Sequence, residues 1–260
     1  MSRKNTSKLF FKDYFKEENG FNFNHVLVNN GEPDERTKNE ILRRNKEIKG
    51  VELKQIPTLS IVNETLSFII AYPGLITGIG LVHDSKKMDG AYNLGMHFDY
   101  TWGMPIVYGS SVKGVLRQYF KEYYKGNLDV VDLIEDIFEG KVRNEEKDEY
   151  DSEGKLKKRG YNNKSIYERD IFFDAVIKET YQGHLLEDDS ITPHGDNPLK
   201  NPNPITMLKI APGCRIEFRF HLDDSGVFKK QDKYDLFKEI LEAVGVGAKT
   251  NVGYGQLEYK

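Results

Sequence analysis

Two short stretches carry the residues best suited to gripping an anion. Near the end of the chain runs Gly245-Val246-Gly247-Ala248-Lys249-Thr250-Asn251-Val252-Gly253-Tyr254-Gly255-Gln256. Glycine has no Cβ, so such a loop can take up positive φ and let another backbone come close. Successive free N–H groups in that geometry form a concavity for an anion, and Lys249 adds a mobile positive charge. The second stretch is Gly109-Ser110-Ser111-Val112-Lys113-Gly114, with Arg117 one helical turn beyond Lys113. Ser110 or Ser111 is placed to cap a helix whose first N–H groups and dipole favour negative charge. Lys113 and Arg117 project from one face of that helix, and cations there are locally unfavourable unless an anion is near. The chemistry expected is a grip on phosphate or on a phosphodiester backbone. Tight packing of helix on sheet, with no ligand, would use the same glycines.

Other chemistries fit less well. His97-Phe98-Asp99 and His83-Asp84 set an imidazole beside a carboxylate, as general acid–base cleavage would need. Adjacent residues of an extended loop point in different directions, however, and no second base is apparent. His194 fits a loop or interface role better than a metal role, and His221 continues a half-buried strand. No spacing resembles a metal site, and the single cysteine, Cys214, excludes an internal disulfide framework and a cysteine-based zinc site. The Gly-Lys-Ser/Thr order of a P-loop is missing from residues 109–114, and Gly245-Val246-Gly247 follows a helical pattern rather than a strand, so both nucleotide fingerprints fail.

The elements that must position these residues follow from periodicity. Residues 64–72 alternate and are rich in β-formers, which predicts a strand ended by Pro73-Gly74. A long loop is expected from Leu75 to about Gly109, then a helix with its apolar stripe on Val112, Val115, Leu116, Tyr119, Phe120 and Tyr123. A second helix is expected at 128–138, a strand at 169–177, and two strands at 205–210 and 214–221 about the break Ala211-Pro212-Gly213. The helix at 234–244 and a short strand at 256–259 flank the glycine loop. Residues 1–33 read as an irregular, partly docked arm with aromatic pairs such as Phe10-Phe11. A charged helix follows at 34–49, with Asp34 as its cap and Glu40–Arg44 as an i,i+4 pair. Residues 141–164 are almost free of apolar side chains and read as a solvated, flexible insertion, with a nucleic-acid-tracking basic arm as the alternative. The order predicts an α+β, ferredoxin-like βαββαβ domain, the arrangement also used by RNA-recognition motifs, with long insertions. Residues 1–260 are read as one such domain, with an arm and helix at 1–50 and insertions at 141–164 and 178–204.

With 38 basic and 41 acidic residues the chain carries a net charge of −3, so any nucleic-acid contact must come from local patches. Its start lacks the pattern of a signal peptide and it contains no long apolar run, which predicts a soluble, cytoplasmic protein without a membrane partner.

Three motifs across about two thirds of the chain carry a family resemblance. Pro105-Ile106-Val107-Tyr108-Gly109-Ser110-Ser111-Val112-Lys113-Gly114-Val115-Leu116-Arg117 looks like the "PGSSLKGALR" segment of the RAMP superfamily of CRISPR-associated proteins, departing at Tyr108, where proline is usual. The second motif is Phe173-Asp174-Ala175, followed by Asp189-Ser190-Ile191-Thr192-Pro193-His194 and Asn201-Pro202-Asn203-Pro204-Ile205. The third is the glycine loop, Gly245 to Gly255. Together they resemble the family of the sixth subunit of type III-B (Cmr) effector complexes.

That resemblance implies a non-catalytic backbone subunit without cofactor or metal, holding the 3′ part of a CRISPR RNA in antiviral or anti-plasmid defence. Neighbouring subunits would cleave the target RNA. Its expected partners are single-stranded CRISPR RNA, bound without sequence preference, and other Cmr-complex subunits, among them a RAMP backbone protein and the small helical subunit. The expected RNA-binding residues are Gly109, Ser110, Ser111, Lys113, Arg117, Gly245, Gly247, Lys249, Thr250, Asn251, Gly253 and Gly255. Related backbone subunits cut target RNA with a loop aspartate in this region, for which Asp84, Asp89 and Asp99 are the nearest candidates. The alternative is therefore an endoribonuclease of the same superfamily, metal-independent or metal-assisted.

Overall fold

The computed structural model describes residues 5–18, 21, 35–78, 90–192 and 204–260. The described part of the arm, residues 5–18 and 21, is more structured than its polar composition predicts. Asn5 accepts a hydrogen bond from the Lys8 N–H and opens the short helix α1 (Thr6–Phe11), followed by a 3-10 turn at Asp13–Phe15. Phe10 and Tyr14 are fully buried and stack on Tyr92 at centroid distances of 5.8 and 5.6 Å. The next helix, α2 (Glu35–Lys49), holds the arm down. Its buried Arg44 donates to the carbonyl oxygens of Asp13, Tyr14 and Lys16 and to Glu40 Oε1 at 2.8 Å. The i,i+4 pair therefore forms, and one guanidinium gathers three backbone carbonyls of the arm by charge-assisted hydrogen bonds. Asp34, the expected cap, is outside the described residues.

β1 (Glu64–Ile70) shows the alternation its sequence predicts, with Leu66, Phe68 and Ile70 fully buried. Two short strands, β2 (Tyr92–Leu94) and β3 (Ile106–Val107), lie within the stretch expected to be loop. Helices α3 (Gly109–Tyr123) and α4 (Val130–Glu139) follow; Asp129 caps the second, and Gly140 ends it at φ 61°. Residues 141–164 are not a shapeless insertion. β4 (Lys141–Arg143), β5 (Glu149–Tyr150), β6 (Leu156–Lys158) and β7 (Tyr161–Asn163) form one hairpin nested in another, β4 pairing with β7 and β5 with β6. Arg143 pairs with Asp148 at 2.6 Å, and Arg159 with Asp129 and Asp132 at 2.8 and 2.9 Å. These two basic residues are thus committed within the chain. The strand expected at 169–177 is two, β8 (Ile171–Phe172) and β9 (Ala175–Glu179), because the chain breaks where Asp174 turns toward α3. The remaining elements are β10 (Leu186–Ile191), β11 (Ile205–Ile210), β12 (Arg215–His221), α5 (Lys230–Val244) and β13 (Leu257–Tyr259).

The main sheet runs β13-β1-β12-β9-β3, every neighbouring pair antiparallel, with β8 also paired to β12. Taking β1, β9, β12 and β13 as the four strands of the βαββαβ pattern gives the spatial order fourth-first-third-second, with α3 and α5 as its helices. That is the expected ferredoxin-like fold. The β11 segment, read as part of this series, instead joins a second sheet of order β10-β11-β2, whose β11–β2 pair is parallel. One face of the main sheet is sealed by the helices through an aromatic cluster. Phe237 lies 5.6 Å from Phe220 and 6.2 Å from Phe138, which lies 5.6 Å from Phe120. The opposite face is crossed by residues 56–61: Arg219 donates to the carbonyls of Ile56 and Pro57, both at 2.9 Å, and His221 Nδ1 lies 2.9 Å from the Ile61 carbonyl.

β10 ties the second sheet to both sides of the molecule. Asp188 takes the Tyr92 hydroxyl and the Lys49 ammonium of α2. Its neighbour Asp189 takes the Lys209 ammonium and the Tyr254 hydroxyl, each at 2.8 Å.

Candidate nucleic-acid interface

The start of α3 differs from the expected serine cap. Tyr108 is the N-cap residue, and the N–H groups of Ser111 and Val112 donate to its carbonyl at 2.8 and 3.0 Å. The Gly109 N–H donates to Asp174 Oδ1 at 2.7 Å, so the second motif caps the first. A side chain at 109 has no room, since its Cβ would lie 2.2 Å from the Phe172 carbonyl oxygen. Ser110 is exposed, and Ser111 and Lys113 are half-exposed. Lys113 has no hydrogen-bond or ion-pair partner among the described residues. Arg117 is not free: it pairs with Glu139 at 3.1 Å. Gly114 sits on the exposed side of the helix, and nothing lies within 4 Å of where its Cβ would be.

The glycine loop is first a packing device. Gly247, at φ 92°, would place a Cβ 2.2 Å from the Ile76 carbonyl oxygen, and Gly255, at φ 72°, would place one 1.8 Å from the Val246 carbonyl oxygen. Only glycine allows both approaches. Gly245 lies as closely against Gly255, and Gly253 takes φ 98°. The resulting bonds, Ala248 N–H to Ile76 O and Gly255 N–H to Gly74 O, both at 2.8 Å, seat the loop on the segment leaving β1. What the loop turns outward is the 3-10 turn Thr250–Val252 and the residue before it, Lys249, which holds φ 61° without being glycine. Asn251 and Val252 are exposed and Thr250 half-exposed. The Lys249 ammonium has no partner among the described residues.

Beneath the turn, Tyr254 packs with Ile76 and Met207. Burial and the Asp189 carboxylate together push its phenol up to about 12. Burial of Asp189 works against its ionisation, but bonds from Lys209, Tyr254 and the Ser190 N–H outweigh it and hold the carboxyl below its ordinary value.

A chain of contacts joins the two stretches. The loop lies on residues 74–76. Thr77 Oγ1 then accepts the His97 N–H at 2.9 Å, and a Cβ at Gly78 would clash with the His97 ring, 2.2 Å from Cε1. His97 stacks on Tyr108 at 4.3 Å and 28°, next to Gly109. Sequence reasoning missed this link; its signals were Gly78, which clears space for a ring, and Tyr108 in a position of known exception.

Of the acid–base candidates, His97 lies in this link and Asp99 two residues beyond it. Burial lowers the His97 pKa, and its Nδ1 is buried without a partner among the described residues. Asp99 is tied into a turn, Oδ1 accepting the Trp102 N–H at 2.6 Å and the backbone carbonyl accepting the Gly103 N–H at 2.8 Å. Asp99 and Asp174 both line a cleft of about 310 Å³ with Trp102, Ile106 and Arg219. His83, Asp84, Asp89 and His194 lie outside the described residues. Among the described residues no group of three or more His, Cys, Asp or Glu side chains is arranged to hold a metal, and no helix is long and apolar enough to cross a membrane.

A ferredoxin-like α+β core, a helix started by a Gly-Ser-Ser turn and a closing glycine-rich loop define the class. The chain belongs to the RAMP superfamily, whose profile matches residues 72–258. Among solved structures it is similar to a chain of a type III-B Cmr-beta complex bound to cognate target RNA, at 20% identity and a TM-score of 0.53, over 91% of this chain and 69% of that one. Weaker similarity is found to Cmr6 from Pyrococcus furiosus (19% identity, TM-score 0.40, 78% of this chain and 100% of that one). A chain of a type IV-B CRISPR complex is also similar (15% identity, TM-score 0.40, 76% and 90%). No curated protein sequence matches the chain.

Proposed function

We propose that this protein is a non-catalytic, RNA-binding backbone subunit of a cytoplasmic type III-B CRISPR effector complex, equivalent to the sixth subunit. It holds the 3′ part of the CRISPR RNA and contacts a neighbouring RAMP subunit and the small helical subunit. The observation that supports this reading is the pairing of two surface segments, Ser110–Lys113 and Lys249–Asn251, whose ammonium groups have no partner among the described residues, linked through residues 74–78, His97 and Tyr108. Both offer charge and polar groups to a phosphodiester backbone, and contacts of that kind give affinity without reading sequence, which suits a protein that must accept any spacer sequence. The whole chain acts as one RAMP domain in this reading, the arm and α2 packed on it and residues 141–164 and 178–204 inserted.

RNA binding measured with unrelated single-stranded sequences across a salt series tests the reading. Lys113→Ala and Lys249→Ala should each weaken all sequences alike and lower the salt slope by about 0.7, the value for one lost phosphate contact on a single strand. Unchanged affinity and slope in both variants would reject it. The endoribonuclease alternative predicts that the purified chain cuts RNA and that Asp99→Asn or His97→Gln abolishes cutting.

A further inference from the structure

Tyr72 is the second residue beyond the buried end of β1, and it is 84% exposed. Ala71 accepts the Gly74 N–H at 2.9 Å, closing a tight turn with Tyr72 at its corner. The turn lies along the glycine loop: the Ala71 N–H donates to the Gln256 carbonyl at 2.9 Å, the Gly255 N–H donates to the Gly74 carbonyl at 2.8 Å, and Pro73 Cδ is 3.7 Å from where a Gly253 Cβ would be. The ring is thus fixed at its base beside the turn that presents Lys249 and Asn251, while both of its faces meet solvent. A solvated aromatic ring gains nothing for the fold, and turn corners ordinarily carry small or polar residues.

We propose that Tyr72 is a nucleobase-stacking residue that works with Lys249 to hold one nucleotide of single-stranded RNA, the ring taking the base and the ammonium an adjoining phosphate. Every base has a π-face, so stacking adds affinity without reading sequence. The inference rests on the RNA-binding reading above and specifies which side chain engages a base.

Binding of fluorescein-labelled oligouridine to the full chain is measured by anisotropy across a salt series, alongside the same backbone carrying abasic sites. Tyr72→Ala should weaken oligouridine binding roughly 5- to 150-fold and leave the salt slope unchanged, and Tyr72→Phe should restore wild-type affinity. On the abasic backbone Tyr72→Ala should have no effect. A wild-type Kd for Tyr72→Ala, alongside a Lys249→Ala variant with a reduced slope, would overturn stacking and leave the backbone-binding reading standing. An equal loss in Tyr72→Ala and Tyr72→Phe, or a loss that persists on the abasic backbone, would also overturn it. No binding by the wild-type chain to either oligonucleotide would overturn both.

Discussion

The Tyr254 hydroxyl donates to Asp189 Oδ2, and the same oxygen receives the Lys209 ammonium, both at 2.8 Å. The bond closes the glycine loop onto the second sheet and joins two segments that the sequence separates by 65 positions. Tyr254→Phe should lower unfolding free energy by about 0.5–1.5 kcal/mol, the net worth of one hydrogen bond. Asp189→Ala should cost more, about 2 kcal/mol, because Lys209 is 7% exposed and among the described residues keeps only Glu187, at 3.9 Å. That figure is below the fully buried range since Asp189 itself is partly solvated. Urea denaturation of the three proteins checks the order.

Acid should loosen the fold through Glu40. Hydrogen bonding to Arg43, against a burial penalty and with help from Arg44, takes its pKa from 4.5 to about 2. A carboxyl whose folded pKa is depressed contributes stability above its unfolded value, and that contribution is lost as pH falls toward the folded value. Melting temperature should therefore drop between pH 4.5 and 2 more steeply in the wild type than in Glu40→Gln. Parallel slopes would show that the Glu40 cluster is not coupled to folding.

Two glycines should respond in opposite directions. Gly114→Ala meets open space in a helix interior and should stabilise by up to about 1 kcal/mol, roughly 2–4 °C in a domain of this size. Gly247→Ala drives a Cβ into the Ile76 carbonyl at positive φ and should lower the melting temperature. If the RNA backbone rides close to α3, Gly114→Ala will also bind RNA more weakly despite its higher melting temperature.

Asp174 supplies the negative charge that the start of α3 attracts. Asp174→Asn keeps an acceptor for the Gly109 N–H but removes the charge competing with phosphate. RNA affinity should rise by roughly twofold to fivefold, the range for one charge at a helix terminus, as read by the same anisotropy titration.

Elements whose signal is local were legible in the sequence. β1 and β12 alternate, α3 and α5 carry apolar stripes, and with the strands expected at 169–177 and 256–259 they spell the ferredoxin-like order. What escaped prediction depends on distant partners. The segment 205–210 is a good strand from its own residues, but only pairing with β10 and β2 assigns it to a second sheet. α1 is too short to announce itself and owes its place to Phe10 and Tyr14 meeting Tyr92. The two cationic stretches were legible as candidates. Close packing by the glycines was legible as an alternative, but that Asp174 caps one stretch, that Glu139 engages Arg117, and which backbone meets glycines 245, 247 and 255 were not, because each depends on an atom brought in by the fold.

Consecutive carboxylates on β10 serve opposite masters, Asp188 facing the N-terminal layer and Asp189 facing the glycine loop. Because side chains alternate along a strand, this parity makes β10 a keyed joint: replacement by another acid preserves the fit, whereas a one-residue insertion or deletion exchanges the two sides at once. Length changes should therefore be purged from residues 186–191 even where point substitutions are tolerated, and a library of single-codon indels would map the joint as a sharp gap in recovered clones.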